Sequence, residues 1–584
     1  MAFIRNKRRG TSFIDIVISL AIIASLFWGI YLIYFALIDS VTNIEARTAA
    51  TELVNQQIEA LRGLPYGSVG TVGGLPAGVI QPVQSASIGS YSFVIDTTVR
   101  NIDDPFDGTA SGNPAPVDTA PADYKLVELD VSCPACSHFI PLSFSTTIAP
   151  ANLETASSSG SLFVNVFDAN GNGVPAATVA VTNSAVSPAI NLTDTTNASG
   201  VLELVGVPTS TQSYHIVVSD PGYSSDQTYP LGGAGNPNPL KPDATVAASA
   251  VTGVSFAIDR LSGLSLETSD AFCAPAAAVP FTVAGTKLIG TNPDVLKFST
   301  SSATDANGTA SMSLEWDTYS FALGTSSYDL FGTIPLSPVI VNPSSSVDFR
   351  FITGSATPDA LLTTVTDAAT GAAIPGASVA LSGAGNATLT TNHTAIVNTD
   401  WSLGNFYDES GVDTGSIPGS VLLLVNASGT YDTSSPGWLI SKTIDTGSST
   451  TNYYSFDWNA IVNPGTENVE FQLAANNDNA TWNFEGPSGP GSYYTASSSI
   501  ASVAGRYIRY KMFLSTTDPN ATPKVDEVSF DLASACTPPG QVLFQGLGAG
   551  TYDIDITAPN YIEATSSVTV GSAWQGTTIS LTHI

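Results

Sequence analysis

Four cysteines carry the most direct chemistry in this 584-residue sequence. Cys133 and Cys136 form the motif Cys-Pro-Ala-Cys, whereas Cys273 and Cys536 stand alone. Outside the cytoplasm, pairing is the default state of thiols, and we predict a Cys133–Cys136 disulfide that closes a turn. A redox-active dithiol would need a surrounding βαβ pattern, which this sequence lacks. Zinc would have His138 as a third ligand but no evident fourth. Pairing of Cys273 with Cys536, in neighbouring domains, is left open.

A second candidate is the segment Asp168-Ala-Asn170-Gly-Asn172-Gly173, which matches the first half of a calcium-binding loop. The twelfth position is Val179 instead of Glu, and the flanks have the pattern of strands rather than helices. A β-turn is therefore predicted, and we expect no metal and no cofactor.

The residue types needed for catalysis do not come together in the sequence. None of the four histidines stands in the setting of a Cys or Ser nucleophile, and no phosphate-binding loop occurs. A glycoside hydrolase would need a pair of acids in one cleft. Asp457 and Asp478 are available, but nothing else in the sequence supports that role. We predict that the protein is not an enzyme.

Residues 395–535 are rich in aromatic side chains at strand spacing and contain Arg506-Tyr-Ile-Arg-Tyr-Lys511 and Pro523-Lys-Val-Asp-Glu-Val-Ser-Phe530. This order resembles galactose-binding-like, discoidin-type β-sandwiches, in which the Arg-Tyr-Ile-Arg strand belongs to the core. The resemblance suggests a glycan or another surface ligand held on loop aromatics by stacking. Most single aromatics are expected in the core. Trp401 and Trp482, beside turn-like or Asn-rich stretches, are predicted to be the ligand-binding exceptions.

The N-terminal segment must position all of these residues relative to a membrane. Basic residues between Arg5 and Arg9 precede Gly10, and Ile16–Ile38 contains no charged residue. At about 1.5 Å per residue, this stretch is long enough to cross a hydrocarbon core of about 30 Å. The basic residues before Gly10 predict that the N-terminus stays in the cytoplasm and that the bulk of the chain lies outside.

A basic leader ends in Gly10, the segment Thr11-Ser-Phe-Ile-Asp15 follows, and an apolar helix comes next. This N-terminus resembles that of type IV pilins and pseudopilins. The resemblance implies cleavage by a prepilin peptidase between Gly10 and Thr11, followed by methylation of the new N-terminus. It also implies that the carboxylate of Asp15 meets the N-terminal ammonium of a neighbouring pilin subunit. Thr11 replaces the usual Phe or Met, and Asp15 replaces the usual Glu. A simple single-pass anchor is the alternative.

Helical periodicity continues beyond the apolar stretch and ends before Pro65. The expected organisation is a leader over 1–10, a pilin-like helix over 11–64 with its transmembrane part at 16–38, and a small pilin-head β-sheet domain over 65–150. Tyr91, Phe93 and Ile95 illustrate the alternation that predicts strands in this head.

The remaining chain repeats a pattern of short strands. Asp168–Ala180 recurs as Asp367–Ala380, with Pro, Ala and Val at matching places. This pattern looks like carboxypeptidase-regulatory-like or Cna-B-like β-sandwiches, which suggests a stalk of spacer modules. The predicted boundaries are 160–260 for the first sandwich, 261–354 for the second, and 357–394 plus 536–584 for the third, which is interrupted by an inserted galactose-binding-like sandwich over 395–535.

Charge limits the partners. The formal net charge is −31 with only 18 basic residues, which argues against nucleic acid and anionic lipid as partners and disfavours anionic targets. We therefore predict a mainly β, multidomain string of β-sandwiches with one long N-terminal transmembrane α-helix. The predicted function is a minor pilin or pseudopilin-like subunit of a type IV filament system that displays an adhesive domain on the cell surface. The alternative is a single-pass membrane-anchored surface adhesin that never enters a filament.

Overall fold

The structure is a computed structural model that describes residues 13–112, 115–118, 120–151, 158–324, 327–571 and 573–584. Strands make up 48% of the chain and helix 9%, so the predicted mainly β class with one long N-terminal helix is confirmed. Two compact units are present. The first runs to Arg260 and includes Leu288–Val295, and the second comprises Leu261–Lys287 and Leu296–Ile584.

The first unit begins with a single helix, α1 (Phe13–Arg62). Its apolar first half is exposed, and among the described residues it is the one helix long and apolar enough to cross a membrane. The second half is amphipathic, because Ala50, Leu53 and Val54 on one side are buried in the head. Pro65 follows the helix, and a short 3-10 turn covers Tyr66–Ser68.

An antiparallel four-stranded meander packs on this second half of α1, in the order β1-β2-β3-β4. Its strands are β1 (Val83–Ile88), β2 (Tyr91–Ile102), β3 (Tyr124–Ser132) and β4 (Leu142–Ile148). The buried Lys125 on β3 donates from Nζ to the carbonyl oxygens of Tyr66 at 2.8 Å and Val69 at 2.5 Å. Burial lowers the pKa of Lys125 to about 8. This side chain therefore fixes the turn after the helix to the sheet.

A first β-sandwich completes the first unit. Its strands are β5 (Gly160–Phe167), β6 (Thr178–Asn183), β7 (Ile190–Thr195), β8 (Val201–Val207), β9 (Ser210–Ser219), β10 (Asp226–Gln227), β11 (Ala244–Val246) and β12 (Val251–Ala257). One sheet has the order β12-β5-β8, and the other has β10-β9-β6-β7 with β11 on β9. Arg100 of the head donates from Nε and Nη2 to Asp194 on β7 at 2.7 and 2.5 Å, which ties the head to this sandwich.

The second unit opens with another sandwich. Its strands are β13 (Ser262–Ser269), β14 (Pro280–Gly285), β17 (Ser299–Ala303), β18 (Thr309–Leu314), β19 (Asp317–Leu323), β20 (Tyr328–Ile334), β21 (Val339–Val341) and β22 (Ser346–Ser355). Between β14 and β17 the chain forms a separate two-stranded ribbon of β15 (Leu288–Gly290) and β16 (Val295–Leu296), of which Leu288–Val295 belongs to the first unit. The two sheets have the orders β18-β13-β22-β20 and β17-β14-β19-β21.

A third sandwich is split by an insertion. It begins with β23 (Leu361–Asp367), β24 (Ser378–Gly383) and β25 (Ala387–Thr390). The inserted strands are β26 (Thr394–Asn398), β27 (Phe406–Ser410), β28 (Val412–Asp413), β29 (Leu422–Leu423), β30 (Gly437–Ser441), β31 (Ile444–Asp445), β32 (Asn452–Ile461), β33 (Glu467–Asn476), β34 (Ser498–Ser499), β35 (Tyr507–Thr516) and β36 (Lys524–Ala533). The third sandwich then resumes with β37 (Gln541–Phe544), β38 (Gly550–Thr557), β39 (Ala564–Val570) and β40 (Gln575–Leu581).

The three sandwiches share the pairing of their first and last strands. In each, the first strand pairs in parallel with the last, as β5 with β12, β13 with β22 and β23 with β40.

The insertion lies between the third and fourth strands of its host, the third sandwich. Its first and last strands, β26 and β36, pair with each other, and the hydroxyl oxygens of Thr394 and Thr537 lie 3.5 Å apart. The two flanks of the insertion are therefore neighbours, as an insertion into one connecting loop requires.

Candidate ligand-binding face of the inserted sandwich

The central strand of the inserted sandwich, β35, carries two kinds of side chain on its two sides. Alternate residues from Ile508 to Leu514 are fully buried in the aromatic core between the two sheets. Because successive side chains of a strand point to opposite faces, Arg509, Lys511 and Phe513 lie together on the outer face of the sheet. The local sequence therefore places two cations and a ring in one row.

The guanidinium of Arg509 packs against two aromatic rings. Its guanidinium carbon lies 4.0 Å from the centroid of Tyr407 on β27 and 4.1 Å from the ring of Trp482. Its Nε donates to Thr443 Oγ1 at 2.8 Å. Arg509 is only 9% exposed, and no carboxylate among the described residues forms an ion pair with it. The described contacts of its guanidinium are therefore two aromatic rings and one hydroxyl, without an anionic partner.

Lys511 has a similar environment. Its Nζ lies 4.3 Å from the ring centroid of Trp438 and 5.1 Å from that of Phe513. Trp438 on β30 stands directly opposite Phe513 in the β30–β35 ladder. The ring of Tyr493 meets Phe513 edge-on, with centroids 5.2 Å apart. A second cation therefore sits against a second aromatic group on the same outer face.

These side chains form a surface that we call the aromatic–basic face: Tyr407, Trp438, Trp482, Tyr493, Arg509, Lys511 and Phe513. Tyr407 is 63% exposed and Tyr493 38%, so rings are open to a ligand. On the neighbouring strand, Glu470 lies opposite Phe513 and accepts a hydrogen bond from Asn468 Nδ2 at 2.8 Å. With 49 acidic and 18 basic residues in the chain, two adjacent cations without an acidic partner mark a locally distinct surface.

A tight loop positions Trp482. The carboxylate of Asp478 accepts hydrogen bonds from the backbone N–H groups of Ala480 and Thr481, both at 2.9 Å, and from Thr481 Oγ1 at 2.7 Å. These bonds, led by the one from the Thr481 N–H, lower the pKa of Asp478 to about 2. Asn476 Nδ2 donates to the Thr481 carbonyl at 2.8 Å. The loop is therefore closed by its own side chains immediately before Trp482.

The prediction that Trp401 contacts a ligand is wrong, because the structure places Trp401 in the core. Trp401 is 1% exposed, and its Nε1 donates to Tyr510 Oη at 2.6 Å. The same oxygen accepts from Asn398 Nδ2 at 2.7 Å, and burial raises the pKa of Tyr510. Since no face of the Trp401 ring is available for stacking, only Trp482 of the two predicted tryptophans lies on the aromatic–basic face.

Sequence reasoning missed Tyr407, Trp438, Arg509 and Lys511. The row of Arg509, Lys511 and Phe513 could have been found from its two-residue spacing, but the resemblance led us to expect the strand in the core. Tyr407 and Trp438 come from strands far away in the sequence, and no local signal links them to β35.

Both pairs of cysteines are bonded. Cys133 and Cys136 form a disulfide with Cα atoms 5.3 Å apart, and Cys273 and Cys536 form a second with Cα atoms 5.4 Å apart. While this disulfide is closed, Cys133 and Cys136 have no thiolates with which to bind zinc. The second disulfide links the second sandwich to the chain segment that leaves the insertion.

The predicted processing residues Gly10 and Thr11 lie outside the described residues. The backbone of Asp15 belongs to α1, but its side chain also lies outside the described part of the structure. Cleavage, methylation and the assembly role of Asp15 therefore stay predictions.

The acids considered for catalysis do not share a site. Asp457 lines a cavity of about 600 Å³ together with His393 and Asp531, and His393 Nδ1 lies 2.6 Å from Asp531 Oδ2. The ring of His393 also stacks on Tyr454 with centroids 4.2 Å apart. Asp478 does not line this cavity, and its carboxylate accepts hydrogen bonds within its own exposed loop.

Two loops have the oxygen-rich side chains of a cation site. Asp168 is satisfied within its turn, since Oδ1 accepts from the N–H groups of Asn170 and Asn172, both at 2.8 Å. In the head, Asp103, Asp118 and Asp123 place one oxygen each within 4.8 Å of one another, which makes them the one group among the described residues that could share a metal ion. Burial, together with the charges of the other two acids, raises the pKa of Asp103.

Comparison with known proteins gives no family. No protein-family model and no curated protein matches the chain. The Bacillus anthracis TIE protein is 11% identical over 86% of this chain and 74% of that chain, with a TM-score of 0.16. The shaft pilin SpaA from Lactobacillus rhamnosus GG is 12% identical over 35% and 100%, with a TM-score of 0.14. A streptococcal ancillary pilin is 10% identical over 73% and 99%, with a TM-score of 0.15. At these values neither a family nor a function follows from the likeness.

Proposed function

We propose that this chain is a membrane-anchored surface protein that binds glycan through the aromatic–basic face of its inserted sandwich. The single observation that carries this proposal is the open row of rings on the outer face of the sheet. Aromatic side chains offer apolar faces to which the faces of sugar rings can pack, and neighbouring polar groups can bond the hydroxyls. Tyr407 and Tyr493 are the most exposed of these rings.

The anchoring part of the proposal rests on α1 and on the N-terminal sequence. The exposed apolar half of α1 would cross the cytoplasmic membrane, with a short cytoplasmic N-terminus and the β-rich chain outside. Cleavage after Gly10, methylation at Thr11 and pairing of Asp15 with a neighbouring subunit would make the protein a minor subunit of a type IV filament. Prepilin peptidase and other pilin subunits are then its partners.

Binding rather than catalysis is proposed, because the two acids considered, Asp457 and Asp478, lie in different places and Asp478 is committed to its loop. The inserted sandwich presents side chains on the outer face of a sheet, and such a surface can bind a ligand without a catalytic cleft. Loops of the host sandwich are tolerant positions for such an insertion.

The test is binding of the full-length protein, in detergent, to a panel of immobilised glycans. We expect at least one glycan to bind and Trp438→Ala and Trp482→Ala to weaken its binding at least fivefold. Trp316→Ala is the matched control, since Trp316 also lies under a lysine, with Lys287 Nζ at 3.3 Å, but in the second sandwich. A protein that binds no glycan, or whose binding is equally reduced by Trp316→Ala, would contradict the proposal.

Filament membership has its own test. Mass spectrometry of the mature N-terminus should give a chain that begins at a methylated Thr11, and sheared filaments should contain the protein. A chain that is uncut at Gly10 and absent from filaments would leave the single-pass surface adhesin as the function.

A further inference from the structure

We infer that the glycan recognised by the aromatic–basic face is acidic, with a sugar carboxylate bound by Arg509 and assisted by Lys511. This inference rests on the proposed function and specifies its ligand class. It differs from the expectation from overall charge, which disfavoured anionic targets.

The guanidinium of Arg509 is mostly buried and has no anionic partner among the described residues. A charged side chain that is 9% exposed has lost most of its hydration, and such groups are paired in nearly all folded proteins. No described carboxylate pairs with it, although acids outnumber bases in the chain by 49 to 18. The missing counter-ion is therefore expected to come from a ligand.

The guanidinium is also preorganised. Its central carbon lies 4.0 Å from the ring centroid of Tyr407 and 4.1 Å from that of Trp482, and Thr443 Oγ1 accepts from Nε at 2.8 Å. No hydrogen bond among the described residues uses the two terminal nitrogens. A planar fork of two N–H groups with fixed orientation is the geometry that binds a carboxylate through two parallel hydrogen bonds.

The aromatic–basic face contains a second cation. Lys511 follows Arg509 by two residues on the same face of β35, which corresponds to about 7 Å along the strand. Its Nζ rests on Trp438 at 4.3 Å, and it has no ion pair with any described acid. Two cations in line beside stacking rings match a chain of sugars that carries negative charge, since the rings contact sugar faces while the cations contact carboxylates.

Charge elsewhere in the protein does not prevent this binding. Interactions between exposed charges decay over about 8 to 10 Å at physiological ionic strength, so the net charge of −31 acts weakly on a ligand in direct contact with Arg509. Affinity should therefore fall as salt is added, but it should remain measurable.

The experiment uses the full-length protein in detergent and three carboxylate probes: oligogalacturonate, a hyaluronan oligosaccharide and sialyllactose. Each is compared with its carboxyl-reduced, neutral form, and dextran sulfate supplies an anionic glycan without carboxylates. We expect at least one carboxylate probe to bind about tenfold or more tightly than its reduced form, as two charge-assisted hydrogen bonds imply. Arg509→Gln should remove this preference, and Lys511→Gln should reduce it.

Two further variants separate recognition from folding. Arg509→Lys keeps the charge but loses the fork, and it should retain only part of the carboxylate preference. Arg506→Gln is the control, because Arg506 immediately precedes β35 and is already paired with Asp445 at 2.8 Å, and it should leave binding unchanged. Hydrogen exchange of β33 and β36 shows whether each variant keeps the fold.

The outcomes distinguish this inference from the proposed function. Equal binding of the carboxylate and reduced forms would overturn the inference while glycan binding stands. Stronger binding of dextran sulfate than of every carboxylate probe would also overturn it. Loss of preference in Arg506→Gln as well as in Arg509→Gln would show that the effect is not specific to Arg509. Failure of every glycan to bind would refute the proposed function and the inference together.

Discussion

Removing one buried hydroxyl group should destabilise the inserted sandwich measurably. In Tyr510→Phe the ring stays in the core, but the oxygen that accepts from Trp401 Nε1 at 2.6 Å and Asn398 Nδ2 at 2.7 Å is lost. Because Trp401 is 1% exposed, its indole N–H would have no access to water. This variant tests directly whether Trp401 is a core residue.

The magnitude follows from the two hydrogen bonds. An unpartnered buried donor costs about 1–3 kcal/mol, and the half-buried Asn398 adds less than about 1 kcal/mol because its amide can turn to water. The expected loss in the free energy of unfolding is about 2–3 kcal/mol. Trp401→Phe should also destabilise, through lost packing. The double variant should cost less than the sum by about 1–2 kcal/mol, since the buried indole N–H that Tyr510→Phe leaves without an acceptor is then absent.

Hydrogen exchange measured by mass spectrometry on the full-length protein is the suitable assay, because a chain of several domains does not unfold in two states. In peptides of β32, β35 and β36, a loss of 2 kcal/mol corresponds to about a thirtyfold faster exchange through the open state. Peptides of β13 and β22 in the second sandwich serve as an internal control and should not change.

The reasoning would be refuted by a Tyr510→Phe protein whose inserted sandwich exchanges less than twofold faster than the wild type. Additive effects in the double variant would also contradict it, because the two side chains would then not be coupled. Glycan binding per folded molecule should be the same in Trp401→Phe and the wild type.

Three further predictions concern other parts of the chain. Replacing Cys273 and Cys536 by Ser should destabilise the second unit by about 5.6 kcal/mol by the loop-entropy relation for a separation of 263 residues, measured as a lower thermal midpoint of that unit. The carboxylate of Asp478 should titrate near pH 2 by NMR. A lowered pKa in the folded state gives stability that is lost when the group is protonated. The loop before Trp482 should therefore lose its hydrogen-exchange protection as the pH falls from about 4 to 2. For Lys125, the folded state binds fewer protons than the unfolded state between pH 8 and 10.5, so stability of the head should rise with pH in that range and should not do so in Lys125→Met.

Each of these predictions has a control and a contradicting result. The Cys133 and Cys136 double serine variant should cost under about 2 kcal/mol, because a separation of 3 residues closes a very short loop; equal losses in the two variants would contradict the entropic account. Asp478 titrating at an ordinary value near 3.8 would show that its loop bonds are weak. A Lys125→Met head with the same pH dependence as the wild type would assign that dependence to another group.

Much of the architecture could be predicted because it depends on local periodicity. The uncharged stretch up to Ile38 and the alternation along β2 and β3 dictate a helix and strands without reference to distant residues. The interrupted third sandwich was also visible, since Asp367–Ala380 repeats the earlier motif and its continuation is displaced by the insertion.

The candidate site could not be predicted to the same extent, because it is assembled from pairs across strands. Arg509 meets Tyr407 and Trp482 only after β27 and the loop beyond β33 are placed around β35. Trp401 was assigned to the surface from its turn-like neighbours, yet burial of its ring depends on Tyr510, more than one hundred residues away in the sequence. Proximity of polar residues in sequence is thus a poor guide to exposure of a tryptophan.

The most direct test of the account is the location of bound glycan on the full-length protein. Hydrogen exchange with and without a saturating oligosaccharide should show new protection in β27, β30, β35 and the loop before Trp482, and none in the first, second and third sandwiches. Protection confined to one of those three sandwiches or to the head, with the aromatic–basic face unchanged, would contradict the proposal that this face binds the ligand.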